Sequence, residues 1–181
     1  MPYIILDRDG VINYDSDKYV KSPDEWLPIP GSLEAIAQLN RHGFRVLIAT
    51  NQSGIARGYY DIAVLDCIHE KLANELASVG GYVEEIFFCP HHPDDQCICR
   101  KPKPGLLQQI QKKYGLTMSE TFFIGDSFVD VQAAQSVGCK PILVLTSNGQ
   151  AALEKYPELG EIPYFANLAK AVNYVLSAQK K

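Results

Sequence analysis

The chain has 181 residues, of which 46% are hydrophobic and 21% charged, and this suits one domain with its own core. The formal net charge of −4 argues against a protein that binds nucleic acid through a broad basic face. No apolar run approaches the roughly 20 residues that span a bilayer, and the N-terminus lacks the pattern of a secretory signal. We therefore expect one cytoplasmic domain over residues 1–181, with a monomer as the default and neither membrane nor nucleic acid as partner.

Apolar runs alternate with segments of helical periodicity along the chain. Runs rich in Val, Ile and Phe predict buried parallel strands at residues 3–7, 44–50, 85–89, 121–125 and 141–145. Apolar residues three and four apart predict helices over residues 32–42, 61–78, 105–114, 130–137 and 168–178, with a frayed basic end at Lys180 and Lys181. This alternation predicts an α/β fold, in which a Rossmann-like parallel sheet lies between two helical layers.

One long connection lies between the first strand and the first helix. Residues 15–30 contain three prolines and one tryptophan, and we interpret them as an ordered loop over a site. No insertion is long enough to form a separate cap domain.

Polar residues stand where three of the predicted strands end. Asp7 ends the first strand, Thr50 the second, and Asp126 follows the fourth. Ligands of parallel α/β sheets bind beyond the carboxyl ends of the strands. The sequence therefore predicts a functional site at this edge of the sheet.

Four short motifs carry a resemblance to a known superfamily. DRDG at residues 7–10, TN at 50–51, KP at 101–102 and GD at 125–126 occur in the order of the signature motifs of the haloacid-dehalogenase-like phosphohydrolases. The longer segments DRDGVIN at 7–13, TNQSGIARG at 50–58 and CPHHPDDQCICRKPKPG at 89–105 resemble the heptose-bisphosphate phosphatase family of this superfamily. The resemblance implies removal of the C7 phosphate of a heptose 1,7-bisphosphate, on the route to nucleotide-activated heptose for lipopolysaccharide core or other surface glycans.

The paired aspartates suit phosphoryl transfer. Asp7 is the candidate nucleophile, which would form an aspartyl-phosphate and divide a difficult hydrolysis into two steps. Asp9 is the candidate general acid for the leaving alkoxide and then the base for the attacking water. The resemblance implies that Mg²⁺ is held by the Asp7 side chain, the Asp9 backbone carbonyl and Asp126. Asp130 is predicted to support the site from behind, or to be an acid in the first turn of a helix.

The loop after the second predicted strand offers donors to a phosphoryl group. Thr50 and Asn51 supply a hydroxyl and an amide, and Gln52 and Ser53 complete the predicted substrate-binding loop, where backbone N–H groups next to a glycine can approach an anion. Thr50 is counted with the catalytic residues.

Further cations and a second loop are predicted to contact the substrate. Lys101 is the candidate point charge against the transferred phosphoryl group, and the planar fork of Arg100 suits a second phosphate or sugar hydroxyls. The resemblance implies that the loop containing Asp15, Lys18 and Tyr19 contacts the sugar.

The four residues Cys89, His91, Cys97 and Cys99 form a Cys₃His set suitable for tetrahedral zinc. Because all four ligands come from the protein, the role of the zinc is expected to be structural, and its loop would position Arg100 and Lys101. His92 is the alternative histidine ligand. Two other cysteines, at positions 67 and 139, are predicted to be small core residues.

Two alternatives to a heptose-bisphosphate phosphatase remain open at this stage. The first is a histidinol-phosphate phosphatase, whose domain shares the metal loop. The second is a binding module without activity on the same scaffold, since fold alone does not establish function. His42 and His69 fall on predicted helices without an obvious partner and receive no role.

Overall fold

The computed structural model describes residues 1–179, so the predicted frayed end at Lys180 and Lys181 lies outside the described residues. Six parallel strands form one sheet in the order β3-β2-β1-β4-β5-β6. The strands are β1 (Tyr3–Leu6), β2 (Arg45–Asn51), β3 (Glu85–Cys89), β4 (Phe122–Gly125), β5 (Lys140–Val144) and β6 (Tyr164–Phe165). The helices are α1 (Ser32–Arg41), α2 (Ile62–Ser78), α3 (Gly105–Tyr114), α4 (Phe128–Ser136), α5 (Gly149–Lys155) and α6 (Leu168–Ala178).

The two faces of the sheet bury different side chains, because successive residues of a strand point in opposite directions. Ile4 and Leu6 of β1 belong to a core shared with α1, α2 and α6. Ile5, between them, belongs to a second core with α3 and α4. The sheet therefore lies between two helical layers, and the predicted three-layer α/β fold is confirmed. In residues 1–179, no helix combines the length and the apolarity needed to cross a membrane.

The strand order reverses beside β1. Ile4 pairs with Val46 of β2 on one side and with Phe122 of β4 on the other. This is a topological switch point, where the loops after neighbouring strands diverge and leave a crevice. Asp7 follows β1 and Asp126 follows β4, so both lie at the mouth of that crevice.

Among residues 1–179, one strand and one α-helix were not predicted from the sequence. β6 has only two residues, and α5 begins at Gly149, in a segment with the composition of a turn. α4 begins two residues before its predicted start, because Ser127 and Asp130 form a capping box at its N-terminus. The other predicted strands and helices match the observed ones to within one residue at each end.

The connection at residues 15–30 is anchored to α2. The Lys71 ammonium donates to the carbonyl oxygens of Pro23 and Trp26, at 2.8 and 2.9 Å. The Trp26 side chain is fully buried in the main core. The prediction of an ordered loop is thereby confirmed.

Candidate active site

A cavity of about 370 Å³ opens at the carboxyl ends of the strands. Eleven of the predicted catalytic, substrate and magnesium residues line it: Asp7, Asp9, Asp15, Tyr19, Thr50, Asn51, Gln52, Ser53, Arg100, Lys101 and Asp126. Lys18 is exposed and lies outside the cavity lining, so its predicted contact with the sugar stays a prediction.

Asp7 is buried and faces a lysine. Its backbone N–H donates to Ile124 of β4 at 2.9 Å, and the Lys101 ammonium lies 3.0 Å from its Oδ1. Burial raises the pKa of Asp7 to about 7, and the charges of Asp130 and Asp9 add to this rise although Lys101 opposes it. A carboxylate oriented in this way, beside a cation, is suited to attack an incoming phosphoryl group.

Asp126 approaches the loop after β1 closely enough to require a glycine there. A Cβ on Gly10 would lie 2.1 Å from Asp126 Oδ2, and Gly10 has φ +81°, which a side chain would disfavour. The same oxygen accepts hydrogen bonds from the backbone and the side chain of Asn148, both at 3.1 Å. Burial raises the pKa of Asp126 to about 8, and the charges of Asp130 and Asp7 act in the same direction.

Three carboxylates form a candidate magnesium site. One oxygen each of Asp7, Asp126 and Asp130 lies within 4.8 Å of the others. Asp130 places Oδ1 2.6 Å from the Lys101 ammonium and accepts from Ser127 at Oδ2, so its oxygens have protein partners. Asp7 and Asp126 therefore fit Mg²⁺ best, because they offer buried oxygen ligands. Their two negative charges exceed the single positive charge of the Lys101 ammonium beside them.

Asp9 is held by donors on three sides. The Arg8 guanidinium donates to both carboxylate oxygens at 2.9 and 3.1 Å, Asn13 donates to Oδ1 at 2.8 Å, and Gln52 donates to Oδ2 at 2.8 Å. Burial acts to raise the pKa of Asp9, but Arg8 and the other donors outweigh it and hold the pKa below its ordinary value. Asp9 is thus an anion in the resting site, and its side chain is 18% exposed toward the cavity.

Gln52 connects Asp9 to the second strand. Its amide nitrogen donates to Thr50 Oγ1 at 2.9 Å as well as to Asp9, and its carbonyl oxygen accepts from the Tyr60 hydroxyl at 2.6 Å. A Cβ on Gly54 would lie 2.3 Å from the Tyr60 ring, so the glycine leaves room for that ring. Thr50, Gln52 and Tyr60 form one buried hydrogen-bonded chain that ends at Asp9.

Asn51 contacts the backbone of the loop that contains Lys101, the lysine loop. Its side-chain oxygen accepts from Lys101 N at 3.0 Å, and its amide donates to Lys101 O at 3.1 Å. The Lys101 ammonium also donates to Ala49 O at 2.8 Å, so β2 holds this residue at both its backbone and its side chain. Burial acts to lower the pKa of Lys101, but Asp130 and Asp7 raise it, and the lysine is cationic.

Arg100 lines the cavity and, within the described part of the chain, has one unsatisfied buried donor. Its Nη1 is buried and has no hydrogen-bond partner among residues 1–179. A guanidinium nitrogen in this state is suited to an anionic ligand. Tyr19 and Asp15, on the loop opposite, complete the rim, and Asp15 accepts from Asn148 at 3.1 Å.

The cysteines and histidine predicted to bind zinc converge. Donor atoms of Cys89, His91, Cys97 and Cys99 all lie within 4.8 Å of one another. Cys89 Sγ lies 3.0 Å from Cys99 Sγ and 3.6 Å from Cys97 Sγ, and His91 Nδ1 lies 3.1 Å from Cys99 Sγ. Ligands at the corners of a tetrahedral zinc site stand about 3.5–3.8 Å apart, given bond lengths near 2.1–2.3 Å. The number and kind of donors fit zinc, and the separations of 3.0 and 3.1 Å are shorter than those of an occupied tetrahedral site.

The other two cysteines and His92, the alternative histidine ligand, lie outside the Cys₃His cluster. His92 accepts from Asp94 N at 3.2 Å and caps a short turn, so the cluster includes His91 as predicted. Cys139 is buried, as predicted, and donates to Thr121 O at 2.9 Å. The prediction for Cys67 is wrong: it is exposed, on the outer side of α2.

Comparisons with known proteins agree on one family. The profile described as haloacid dehalogenase-like hydrolase matches residues 3–138, which is most of the chain. This chain belongs to the haloacid dehalogenase-like hydrolase family.

Relatives within the family share a specific name. A D-glycero-beta-D-manno-heptose-1,7-bisphosphate 7-phosphatase of Pseudomonas aeruginosa is 57% identical over 152 residues, covering 84% of this chain and 85% of the relative. The protein of that name in Bordetella bronchiseptica is 54% identical over 153 residues, covering 84% and 86%. The crystal structure of D,D-heptose 1,7-bisphosphate phosphatase from B. bronchiseptica, complexed with magnesium and phosphate, has a TM-score of 0.96 at 48% identity and covers 98% of this chain and 99% of that one. The resemblance noted in the sequence is confirmed.

Several residues around the site were missed by sequence reasoning. The sequence indicates no role for Arg8 or His69, yet Arg8 Nη1 lies 3.1 Å from His69 Nε2. Asn13, Tyr60 and Asn148 also hold site carboxylates or their partners. No local pattern predicts these contacts, although Arg8 and Asn13 lie inside the DRDGVIN segment.

Proposed function

We propose that this hydrolase is a Mg²⁺-dependent phosphatase that removes the C7 phosphate of D-glycero-D-manno-heptose 1,7-bisphosphate and leaves heptose 1-phosphate. The observation that carries the proposal is the position of the Lys101 ammonium, 3.0 Å from Asp7 and 2.6 Å from Asp130, at the switch point of the sheet. A nucleophile, a buried cation and further carboxylates meet there at the edge where ligands of such sheets bind. The names of the relatives support the choice of substrate.

Asp7 acts first in the proposed reaction. One of its oxygens forms a bond to phosphorus while the bond from phosphorus to the C7 oxygen breaks. Lys101 stabilises the negative charge of the phosphoryl group, and Thr50, with the N–H groups near Ser53, donates to the phosphoryl oxygens. Mg²⁺, held by the Asp7 and Asp126 side chains and the Asp9 carbonyl, would neutralise phosphate charge and polarise phosphorus.

Asp9 moves the proton in both steps. It gives a proton to the leaving C7 oxygen, then accepts one from the water that attacks the aspartyl-phosphate and restores Asp7. Its low pKa suits the second role directly. The first role requires a protonated Asp9, which the approach of an anionic phosphate favours because a nearby like charge raises the pKa of a carboxylate.

The loop with the Cys₃His cluster determines the substrate selectivity of the proposed enzyme. Structural zinc on the Cys₃His cluster would keep the loop rigid, and Arg100 and Lys101 follow directly on Cys99. The unpartnered Nη1 of Arg100 is suited to the phosphate that is not removed, or to sugar hydroxyls. Asp15 and Tyr19 on the facing rim would contact the sugar.

The proposal extends to the cellular setting. The chain acts as one monomeric domain in the cytoplasm, where thiols stay reduced and available to zinc. Its product would enter the synthesis of nucleotide-activated heptose for surface glycans.

A direct assay tests the substrate. Both anomers of the heptose bisphosphate and histidinol phosphate are hydrolysed side by side, with Mg²⁺ and with a chelator. We expect kcat/KM for one heptose anomer to exceed that for histidinol phosphate by orders of magnitude, and chelation to abolish turnover. A preference for histidinol phosphate would overturn the substrate, and no turnover of any phosphate ester would leave a binding module.

A further inference from the structure

We propose that His69 is a positioning residue for the proton-transfer step: it holds the Arg8 guanidinium, and Arg8 in turn holds the Asp9 carboxylate at the cavity. The inference rests on the proposed phosphatase reaction and assigns a role in it to α2, a helix that contributes no residue to the cavity lining among the described residues.

Arg8 lies entirely inside the protein. Its side chain is 0% exposed, which is costly for a permanent cation unless its donors are satisfied. Nε and Nη2 donate to Asp9 at 2.9–3.2 Å, and these bonds use one side of the planar fork. Nη1 points the other way, and His69 Nε2 lies 3.1 Å from it.

The contact determines the state of the imidazole. A guanidinium can only donate, so Nε2 must accept, and His69 is neutral with its proton on Nδ1. The environment agrees with this assignment, because burial and the nearby Arg8 charge lower the pKa of His69 to about 4. His69 therefore remains an acceptor throughout the neutral range, and Arg8 has a partner on each side.

The two partners of Arg8 restrict its position. A planar fork bonded at both edges cannot rotate without losing a buried hydrogen bond, so the carboxylate that it holds has a defined orientation. The chain of contacts runs from α2 through Arg8 to Asp9 and then to Gln52. A displacement of about 1 Å at a proton donor can cost roughly 100-fold in rate, so the loss of His69 should be seen in proton transfer.

The experiment compares leaving groups. His69→Leu removes the acceptor, whereas His69→Gln retains a carbonyl oxygen near the position of Nε2. Release of the alcohol is followed under single-turnover conditions for a sugar phosphate, whose alkoxide needs a proton, and for p-nitrophenyl phosphate, whose phenolate needs little. We expect His69→Leu to slow the sugar phosphate by roughly 10- to 100-fold and p-nitrophenyl phosphate by less than about threefold. His69→Gln should recover most of the loss, with KM nearly unchanged.

Other variants separate positioning from folding. Leu72→Ala, on the same helix, weakens the core and should lower the unfolding temperature while leaving the ratio of the two rates unchanged. If His69→Leu does not fold, Arg8→Lys keeps the charge but loses the fork, and it should show the same selective loss.

Each result decides the inference. A selective loss with rescue by glutamine supports it. Equal loss on both substrates, no loss on either, or a changed ratio in Leu72→Ala overturns it. The comparison needs only one alkyl phosphate that the wild-type protein hydrolyses, so failure on heptose bisphosphate alone refutes the proposed substrate and not the role of His69.

Discussion

The ammonium of Lys101 lies 2.6 Å from Asp130 Oδ1, and both side chains are 1% exposed. The same ammonium also contacts Asp7, at 3.0 Å from its Oδ1. Asp130 thus keeps a cation beside Asp7, the proposed nucleophile, while its other oxygen caps α4. Asp130 therefore both caps α4 and pairs with the buried cation of the site.

Removal of this lysine should harm both stability and turnover. In Lys101→Met, Asp7 and Asp130 lose their buried counter-ion, and breaking a buried pair by removing one partner costs about 3–5 kcal/mol. Urea unfolding in the presence of a chelator should show this loss. The double variant Lys101→Met/Asp130→Asn, which removes the unpaired charge but keeps an oxygen for the Ser127 N–H, should regain part of the stability but stay inactive. If the double variant were no more stable than the single one, the pair would not be coupled.

Substitution of the nucleophile should separate activity from stability. Asp7→Asn should lower turnover by roughly 10⁴-fold or more, as is usual when a nucleophile is removed. The variant should unfold at the same temperature as the wild type or higher, because burial raises the pKa of Asp7 to about 7 and makes its ionised form unfavourable. Steady-state rates and calorimetry test the two claims, and substantial residual turnover would exclude Asp7 as nucleophile.

Arg100 should discriminate between substrates with one and two phosphates. Arg100→Ala removes the unpartnered buried donor, so kcat/KM for heptose bisphosphate should fall by roughly 10- to 100-fold, the cost of a lost bond to a charged group. Hydrolysis of an aryl phosphate should fall much less. Lys112→Ala, an exposed residue of α3, is the control for net charge and should change neither. Equal losses on both substrates would contradict a selective role.

Zinc should depend on the four clustered residues and on no other cysteine. Metal analysis of protein purified without chelators should find about one zinc per chain. Cys97→Ser should lose the metal and weaken both Arg100-dependent selectivity and Lys101-dependent turnover. Cys67→Ser, at an exposed cysteine, should retain both metal and activity. Zinc-free wild-type protein would refute the assignment.

The lowered pKa of His69 should change how the free energy of unfolding depends on pH. Burial lowers its pKa from 6.5 to about 4 in the folded protein, so the unfolded chain binds a proton there at higher pH than the folded one. This residue therefore contributes stability that is fully present above about pH 6.5 and is lost as the pH falls toward 4. His69→Gln should show a shallower decline of the free energy of unfolding over this interval. Identical slopes in denaturant titrations would contradict the shift.

Sequence reasoning predicted the parts of this protein that depend on local pattern. β1 and β4 have apolar residues on both faces and end at aspartates, so both the strands and the meeting of Asp7 with Asp126 follow from the parallel-sheet rule. The clustering of Cys89, His91, Cys97 and Cys99 follows from residue type and spacing. β6 was missed because two residues carry no periodicity. α5 was missed because Gly149, whose Cβ would lie 1.9 Å from Val144 O, is required by a close approach that the sequence does not reveal.

Contacts between distant segments could not be predicted in this way. Arg8 and His69 are 61 positions apart, and their hydrogen bond depends on how α2 packs over the loop after β1. Asp130 could be recognised as a first-turn acid of α4, but its bond to Lys101 depends on the path of the lysine loop across the sheet. Such pairs result from tertiary packing and not from any repeat or spacing.

The pairing of β1 with β4 has a consequence for biosynthesis. Ile4 and Phe122 lie side by side in the sheet but are separated by more than half of the chain. During translation Asp7, the proposed nucleophile, therefore emerges long before β4 and Asp126. We expect a nascent chain to lack the proposed activity until β4 has emerged and paired with β1.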